Sequence, residues 1–257
     1  MYPKKSLGQN FLIDKNISKK ILKLVNNFEN KNIIEIGPGT GALTDHIINK
    51  KPKKLILIEK DKMLFNKLLT KYKNFKSIEI YNEDALKYDL TKIKKPKSII
   101  ANLPYNISIK LLISWLKKIS DFNEIVVMIQ KEVAQKMNYN INNKLNRLNV
   151  LTSISCNYKI EFHVSKNVFF PKPKVDSSVI KLSQKNNIKF DFAKLENFTR
   201  LFFRKKRKKI KNVLPTEIIY ILKQKNISYD FDEILNSRTE DLKLEIITNL
   251  FKEFSKI

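Results

Sequence analysis

Apolar residues follow two different spacings along the chain. After Asp14, and again from Lys62 to Tyr72, they recur at helical spacing, while short continuous apolar runs of strand length lie between the helical stretches. Helices that alternate with buried strands predict a mainly parallel α/β sheet with helices on both faces. The predicted strands lie in "NIIEI", "KLILIEKD", "SIEIYNEDAL", "SIIANLPYN", "EIVVMIQ" (Glu124–Gln130) and the alternating segment Val175–Leu182.

The periodicity changes near Ser183. Beyond "SQKNNIK" the apolar spacing is helical through "LENFTRLFFRKKRKKIKNVL" and on to the end of the chain. We therefore predict two domains, an α/β domain over residues 1–183 and a small helical domain over residues 184–257.

Glycine is concentrated in one place. The chain has four glycines, and Gly37, Gly39 and Gly41 fall within five residues between a predicted buried strand and a helix start. Glycine is required where the backbone adopts positive φ or approaches another group closely. One glycine would be enough for a tight strand-to-helix turn, so three favour a nucleotide site, which α/β sheets form at the carboxyl ends of their strands.

The residues around this loop indicate which nucleotide. Its G-x-G-x-G spacing differs from the dinucleotide motif, and it lacks the Lys-Ser/Thr pair of a phosphate-binding loop. Glu59 follows Gly37 by 22 residues (59 − 37), where a carboxylate can bind a ribose diol. We place Asp84 at the end of the following strand, where it can accept from an adenine amine. Ribose and adenine contacts without a phosphate cradle predict S-adenosylmethionine.

The segment "NLPYNIS" (Asn102–Ser108) ends another predicted strand beside this pocket. A turn requires only the Asn and the Pro, so the tyrosine indicates a site. An exocyclic base amine is a poor nucleophile, and it needs acceptors for its hydrogens and a ring to stack on. Asn102 can supply a side-chain oxygen, Leu103 a backbone carbonyl aimed by the rigid Pro104, and Tyr105 the stacking face.

The amino-acid composition predicts a polyanionic partner. The 51 Lys and Arg against 25 Asp and Glu give a formal net charge of +26, which favours nucleic acid, although AT-rich coding drift explains part of the lysine usage. The single cysteine and the two separated histidines predict neither a disulfide nor a metal site. Neither a membrane-spanning run nor a signal core is apparent, so we expect a cytoplasmic protein without membrane association.

Taken together, these motifs resemble those of the ribosomal RNA adenine dimethyltransferases, and within them the KsgA type. The similar segments run almost end to end: "LGQNFL", "EIGPGTGALT", "IEKD", "EDAL", "NLPYNIS", "VFFPKPKVDS" and "RKKRKKIKN". The resemblance implies a Rossmann-like class I methyltransferase domain followed by a small C-terminal helical RNA-binding domain. It also implies transfer of methyl groups from S-adenosylmethionine to two adjacent adenosines near the end of small-subunit ribosomal RNA, by a monomer acting on an immature subunit.

The resemblance also implies roles for individual residues. The cofactor contacts that it implies are Asn10, Leu12, Gly37, Glu59, Asp84 and Asn102, with the segment of Asn10 and Leu12 closing over the pocket. Phe169 would stack on the target adenine opposite Tyr105, with Phe170 as the alternative. Two departures from the family pattern are Glu83, where glycine is frequent, and Lys60, where an apolar residue is common.

Three other functions remain open at this point. The antibiotic-resistance branch of the same superfamily methylates a large-subunit RNA adenosine, and a non-catalytic RNA- or DNA-binding factor can use the same fold. DNA adenine methyltransferases have a similar active-site tetrapeptide. "NLPYNIS" followed by "FFPKPKVDS" favours the small-subunit enzyme, and the intact glycine loop, Glu59, Asp84 and Asn102 favour catalysis.

Overall fold

The computed structural model describes residues 3–4, 7–185, 190–205, 207–225 and 227–257, without the side chain of Asn142. In these ranges the chain divides into two compact units, Met1–Ala134 with Tyr158–Gln184, and Gln135–Asn157 with Lys185–Ile257. The segment Gln135–Asn157 belongs to the second unit, whereas the periodicity predicts it in the first domain. A boundary drawn from local periodicity misses this segment because its partners are distant in sequence.

Contacts inside the second unit show why the segment belongs there. The guanidinium of Arg147 donates to the carboxylate of Glu196 (3.0 Å), and the N–H of Leu145 donates to the carbonyl of Glu240 (2.9 Å). The helix that contains Arg147 packs against helices near the end of the chain.

The first unit is built on a mainly parallel sheet. Within the described residues the strands are β1 (Phe11–Leu12), β2 (Asn32–Ile36), β3 (Lys54–Ile58), β4 (Ile78–Tyr81), β5 (Lys97–Asn102), β6 (Glu124–Gln130), β7 (Cys156–Val164), β8 (Phe169–Phe170) and β9 (Ser177–Gln184). Seven of these strands form the sheet in the order β4-β3-β2-β5-β6-β9-β7, and β9 is antiparallel to β6. The strands β1 and β8 form a separate antiparallel pair.

Helices cover the sheet and make up most of the second unit. Among the described residues, none of them has the length and apolar character that a membrane crossing requires. They are α1 (Lys15–Leu22), α2 (Thr44–Ile48), α3 (Lys62–Tyr72), α4 (Ser108–Leu116), α5 (Lys131–Met137), α6 (Tyr139–Asn142), α7 (Arg147–Ser155), α8 (Phe192–Phe202), α9 (Thr216–Lys223), α10 (Phe231–Asn236) and α11 (Leu244–Phe254).

The predicted fold class is confirmed, and several elements agree with their predicted bounds. The helix α3 spans Lys62–Tyr72 and the strand β6 spans Glu124–Gln130, as predicted. Asp14 caps α1 by accepting from the N–H groups of Asn16 and Ile17, which explains why the helical pattern begins there.

Two local predictions were wrong. The strand β4 ends at Tyr81, so Asp84 lies in the following loop instead of at a strand end. The helix α8 ends at Phe202, and the described residues of the basic run Arg204–Lys209 lie outside regular helix; Lys206 lies outside the described residues. A helix through this run would place like charges four residues apart, for example Arg204 and Lys208, which is unfavourable.

The sheet register brings the predicted site residues to one edge. Ile36 pairs with Ile58 and with Ala101, so the residues that follow these positions leave the sheet at the same level. The strands β2 and β5 are neighbours, although β3 and β4 separate them in sequence. This reversal of strand order opens a crevice at the carboxyl ends of the strands, where open α/β sheets bind ligands.

Candidate active site

A cleft opens at this edge of the sheet, with a cavity volume of about 170 Å³. It is lined by the N-terminal segment and by the loops that follow β2, β3, β4 and β5. The lining includes nine of the predicted site residues: Asn10, Leu12, Gly37, Glu59, Asp84, Asn102, Leu103, Pro104 and Tyr105. Predicted residues from Asn10 to Tyr105 therefore contribute to one cavity.

Glu59 is held rigidly beside the glycine loop. Glu59 is only 6% exposed, and its two side-chain oxygens accept from the N–H groups of Gly39 (3.1 Å) and Asp61 (2.8 Å). Burial raises the pKa of Glu59, and the two backbone hydrogen bonds oppose that rise. Each carboxylate oxygen can accept a second hydrogen bond, so Glu59 can still bind the hydroxyl groups of a ribose.

Asp84 is already engaged on both oxygens. Lys60 forms an ion pair with one oxygen (2.8 Å), and the N–H of Leu86 donates to the other (3.0 Å). The hydrogen bond from Lys60 is the main reason why the pKa of Asp84 is lowered. Lys60, one of the departures from the family pattern, therefore keeps the Asp84 carboxylate ionised at the cleft wall.

Asn102 is oriented by the N-terminal segment. It is the last residue of β5, and its Nδ2 donates to the carbonyl oxygen of Asn10 (2.9 Å). A carbonyl oxygen can only accept, so this contact requires the amide nitrogen on its side and leaves Oδ1 as the group on the other side. The amide therefore presents an acceptor to the rest of the cleft, as its predicted role requires.

Two of the three residues after Asn102 are fixed by separate contacts. The N–H of Leu103 donates to the carbonyl of Met128 in β6 (3.0 Å). The hydroxyl group of Tyr105 shares a hydrogen bond with Ser177 Oγ (2.7 Å), at the start of β9. Burial raises the pKa of Tyr105, so the phenol remains neutral at neutral pH.

The N-terminal segment lines part of the cleft. The carbonyl of Asn10 accepts from Asn102 Nδ2, and Leu12 pairs with Phe169 in the antiparallel pair β1–β8. A Cβ atom at Gly39 would lie 3.0 Å from the ring of Phe11, so a larger residue at Gly39 would displace that ring. Phe11 was not predicted as a site residue, because nothing in the sequence indicates that it packs on the glycine loop.

Phe169, which the resemblance places against the target base, is buried in the structure. Phe169 is 3% exposed, belongs to a hydrophobic cluster that includes Leu12, and does not line the cleft. In this position the ring exposes little surface to the solvent. Phe170, the alternative residue, is 58% exposed and pairs with Phe11.

Glu35 is a cleft residue that the sequence analysis did not assign. It is buried in β2, and Thr44 Oγ1 donates to its carboxyl group (2.7 Å). Burial raises the pKa of Glu35 to about 8, in spite of this hydrogen bond. One signal was available in the sequence, because Glu35 is the only charged residue in the apolar run "NIIEI".

The residues of the cleft fit S-adenosylmethionine. At Gly37 a Cβ atom would meet only Pro104 within 4 Å, at 3.9 Å, so the missing side chain leaves open space on the cleft floor. Glu59 provides acceptors suited to a ribose, and Asp84 provides a carboxylate suited to an adenine amine. When bound, this cofactor supplies an electrophilic methyl group on a sulfonium ion.

Comparison with known proteins identifies the family. The model of the family "Ribosomal RNA adenine dimethylase" matches residues 2–256. The "Ribosomal RNA small subunit methyltransferase A" of Pelagibacter ubique (strain HTCC1062) is 39% identical over 261 residues, which cover 99% of this chain and 97% of that protein.

Many solved structures are similar to this chain, among them the following two. A dimethyladenosine transferase from Plasmodium falciparum has a TM-score of 0.75 and 27% identity, covering 96% of this chain and 98% of that one. The 23S rRNA methyltransferase ErmE has a TM-score of 0.70 and 21% identity, covering 95% and 99%, and this likeness shows the fold alone. With the cleft geometry and the full-length match, the chain belongs to the ribosomal RNA adenine dimethylase family and is an S-adenosylmethionine-dependent rRNA adenine dimethyltransferase.

Proposed function

We propose that this enzyme dimethylates the exocyclic amines of two adjacent adenosines near the end of small-subunit ribosomal RNA, in an immature subunit. The observation that carries the proposal is the fixed orientation of Asn102, whose Nδ2 is held by the carbonyl of Asn10. The name of the Pelagibacter ubique relative supports the small-subunit substrate.

Each of the cleft residues has a separate role in the proposed reaction. Asn102 Oδ1 and the carbonyl of Leu103 accept from the two hydrogens of the target amine, which favours a pyramidal nitrogen with an available lone pair. Tyr105 supports the base from one side, because its hydroxyl is anchored on Ser177. A strong general base is unnecessary, because the main contribution is to position the amine in line with the methyl group.

The second ring of the base-binding site is assigned to Phe170. Its exposure and its pairing with Phe11, which lines the cleft, support this assignment. Phe170→Ala then lowers methyl transfer at saturating cofactor, while Phe169→Leu, which keeps most of the apolar volume, lowers mainly the stability. If Phe169→Leu stops transfer and Phe170→Ala is neutral, stacking belongs to Phe169, which must then leave its buried position.

The basic residues of the second unit are proposed to hold the RNA backbone. Lys205, Arg207 and Lys208 are exposed, and phosphate contacts of this kind add affinity without reading sequence. The same proposal includes a monomeric enzyme that acts in the cytoplasm, where its substrate is assembled.

Methyl transfer to different substrates tests the proposal. Radiolabelled S-adenosylmethionine is offered in parallel with immature small subunits, large subunits, bare RNA and DNA. The proposal expects label in small-subunit RNA, as two dimethylated adenosines. Label in the large subunit would instead assign the enzyme to the antibiotic-resistance branch. Label in DNA would show that the substrate is DNA and not RNA.

A further inference from the structure

One carboxylate outside the predicted set connects the N-terminal segment to the cofactor loops. Asp61 lies two residues after Glu59, and its side chain is only 2% exposed. Its Oδ2 forms an ion pair with Lys4 (3.0 Å) and accepts from Gln9 Nε2 (3.1 Å), while its Oδ1 accepts from the N–H of Met63 at the start of α3 (2.9 Å).

These contacts close a small network. The backbone N–H of Lys4 donates to Gln9 Oε1 (2.7 Å), so the two residues of the segment whose side chains contact Asp61 are also joined to each other. Burial opposes ionisation of Asp61, but the hydrogen bonds from Lys4, Gln9 and Met63 lower its pKa. The carboxylate is therefore charged at neutral pH and binds the segment that contains Gln9.

The next residues of the segment reach the other loops of the cleft. Asn10 accepts from Asn102, and Phe11 packs on Gly39. Gly8 lies against the loop after β5, because a Cβ atom there would be 3.0 Å from Asn106 Oδ1. The described residues of the segment are thus held at the loops after β2, β3 and β5, and among these contacts the one after β3 involves a buried charge.

We infer that Asp61 is a positioning residue, which anchors Lys4 and Gln9 and so places the carbonyl of Asn10 where it orients the amide of Asn102. Loss of this anchor frees the segment at one of its three attachments. The cofactor cleft then loses a fixed wall, and Asn102 loses the acceptor that orients its Oδ1. Cofactor binding and the rate of transfer depend on Asp61 although it has no assigned contact with the reacting atoms.

The test uses Asp61→Asn, because asparagine caps a helix as well as aspartate does and α3 keeps its N-cap. The matched control is Asp14→Asn, since Asp14 caps α1 with the same kind of contact and does not line the cleft. We expect Asp61→Asn to raise the Kd for S-adenosylmethionine by about tenfold, the loss of one charge-assisted contact. At saturating cofactor, kcat also falls severalfold, while the control changes neither quantity.

Hydrogen exchange separates positioning from simple destabilisation. The backbone N–H groups of residues 7–12 should exchange faster in Asp61→Asn, while those of α3 keep their protection. Adding Gln9→Ala to Asp61→Asn should cost little more than Asp61→Asn alone, because both remove the same link. Unchanged Kd, kcat and exchange in Asp61→Asn would overturn the inference, as would a uniform loss of protection in α3.

This inference rests on the proposed methyl transfer, but the two can fail separately. Calorimetry with S-adenosylmethionine needs no RNA, so it tests the anchor whichever substrate is methylated. A wild-type protein that binds the cofactor and methylates none of the RNA substrates would overturn the proposed function and leave the anchor standing.

Discussion

The cleft of the first unit and the basic run of the second unit hold their charges in opposite ways. At the cleft, Glu59 is buried and both of its oxygens accept from backbone N–H groups. In the basic run, Lys205, Arg207 and Lys208 are exposed, and none of them forms an ion pair within the part of the chain that the structure describes. Function at the cleft therefore depends on geometry, and function at the basic run on the number of charges.

The difference predicts how each region responds to substitution. A buried, hydrogen-bonded group has no substitute nearby, so its loss acts on one step and has a large effect. Exposed cations act together and are screened by salt, so each loss has a small effect that depends on ionic strength.

The largest effect is expected at Asn102. Asn102→Ala removes the acceptor for the target amine and should lower kcat by about 10²- to 10³-fold, the usual effect of losing one such polar contact. Cofactor binding should change less than kcat, and the fold should persist. Single-turnover methyl transfer measures the effect, with Asn49→Ala at the exposed end of α2 as the matched control. Near-normal transfer would remove Asn102 from the reaction.

The next effect concerns Glu59. Glu59→Ala should weaken S-adenosylmethionine binding by roughly 1–3 kcal/mol, because charge-assisted hydrogen bonds to the ribose are lost. Calorimetry measures this change, and Glu29→Ala, at an exposed carboxylate outside the cleft, serves as its control. Equal affinities of a folded Glu59→Ala variant and the wild type would mean that the ribose is held elsewhere.

Glu35 should make the stability of the first unit depend on pH. Because burial raises its pKa from 4.5 to about 8, the folded state binds an additional proton between these two values. The free energy of unfolding therefore falls as pH rises through this window, by at most ~1.4 kcal/mol per pH unit. Denaturant titrations at several pH values should show a weaker dependence in Glu35→Gln, and an unchanged one in Glu29→Gln. A dependence that survives Glu35→Gln would assign it to another group.

The smallest effect per residue is expected in the basic run. Two cations of the basic run are unsuited to a test: Lys206 lies outside the described residues, and the guanidinium of Arg204 donates to the carbonyl of Val213 (3.1 Å). The test therefore uses Lys205→Gln, Arg207→Gln and Lys208→Gln together. Each lost phosphate contact should reduce the log–log slope of subunit binding against salt by nearly one unit.

A charge-matched control completes this test. Lys50→Gln, Lys53→Gln and Lys73→Gln remove the same net charge from exposed positions of the first unit. If both triple variants change the salt slope equally, attraction depends on net charge and not on the basic run. Cofactor affinity should be unchanged in both.

Much of the site could be predicted from sequence because its parts follow strands. Gly37, Glu59 and Asn102 each come directly after or at the end of an apolar run, and parallel strands place such positions at one edge. The glycine cluster and the "NLPY" segment indicated the chemistry of the site. These signals are local, so they can be recognised without knowledge of the fold.

The remaining features depend on contacts between residues far apart in sequence. Burial of Phe169 and exposure of Phe170 follow from the pairing of β8 with β1, which no local pattern indicates. The anchor at Asp61 joins residues 52 positions apart, and the orientation of Asn102 depends on a carbonyl 92 positions away.

The sequence by itself determined the α/β fold class, the alternation of the predicted strands with helices, the glycine loop, and the positions of Glu59 and Asn102 at strand ends. Only the tertiary structure decided which phenylalanine is buried, that Gln135–Asn157 belongs to the second unit, and that Asp61 anchors the N-terminal segment. The physical reason is that periodicity reports which face of an element is apolar, whereas the partner of that face is chosen by packing and by the hydrogen bonds available after the chain has folded.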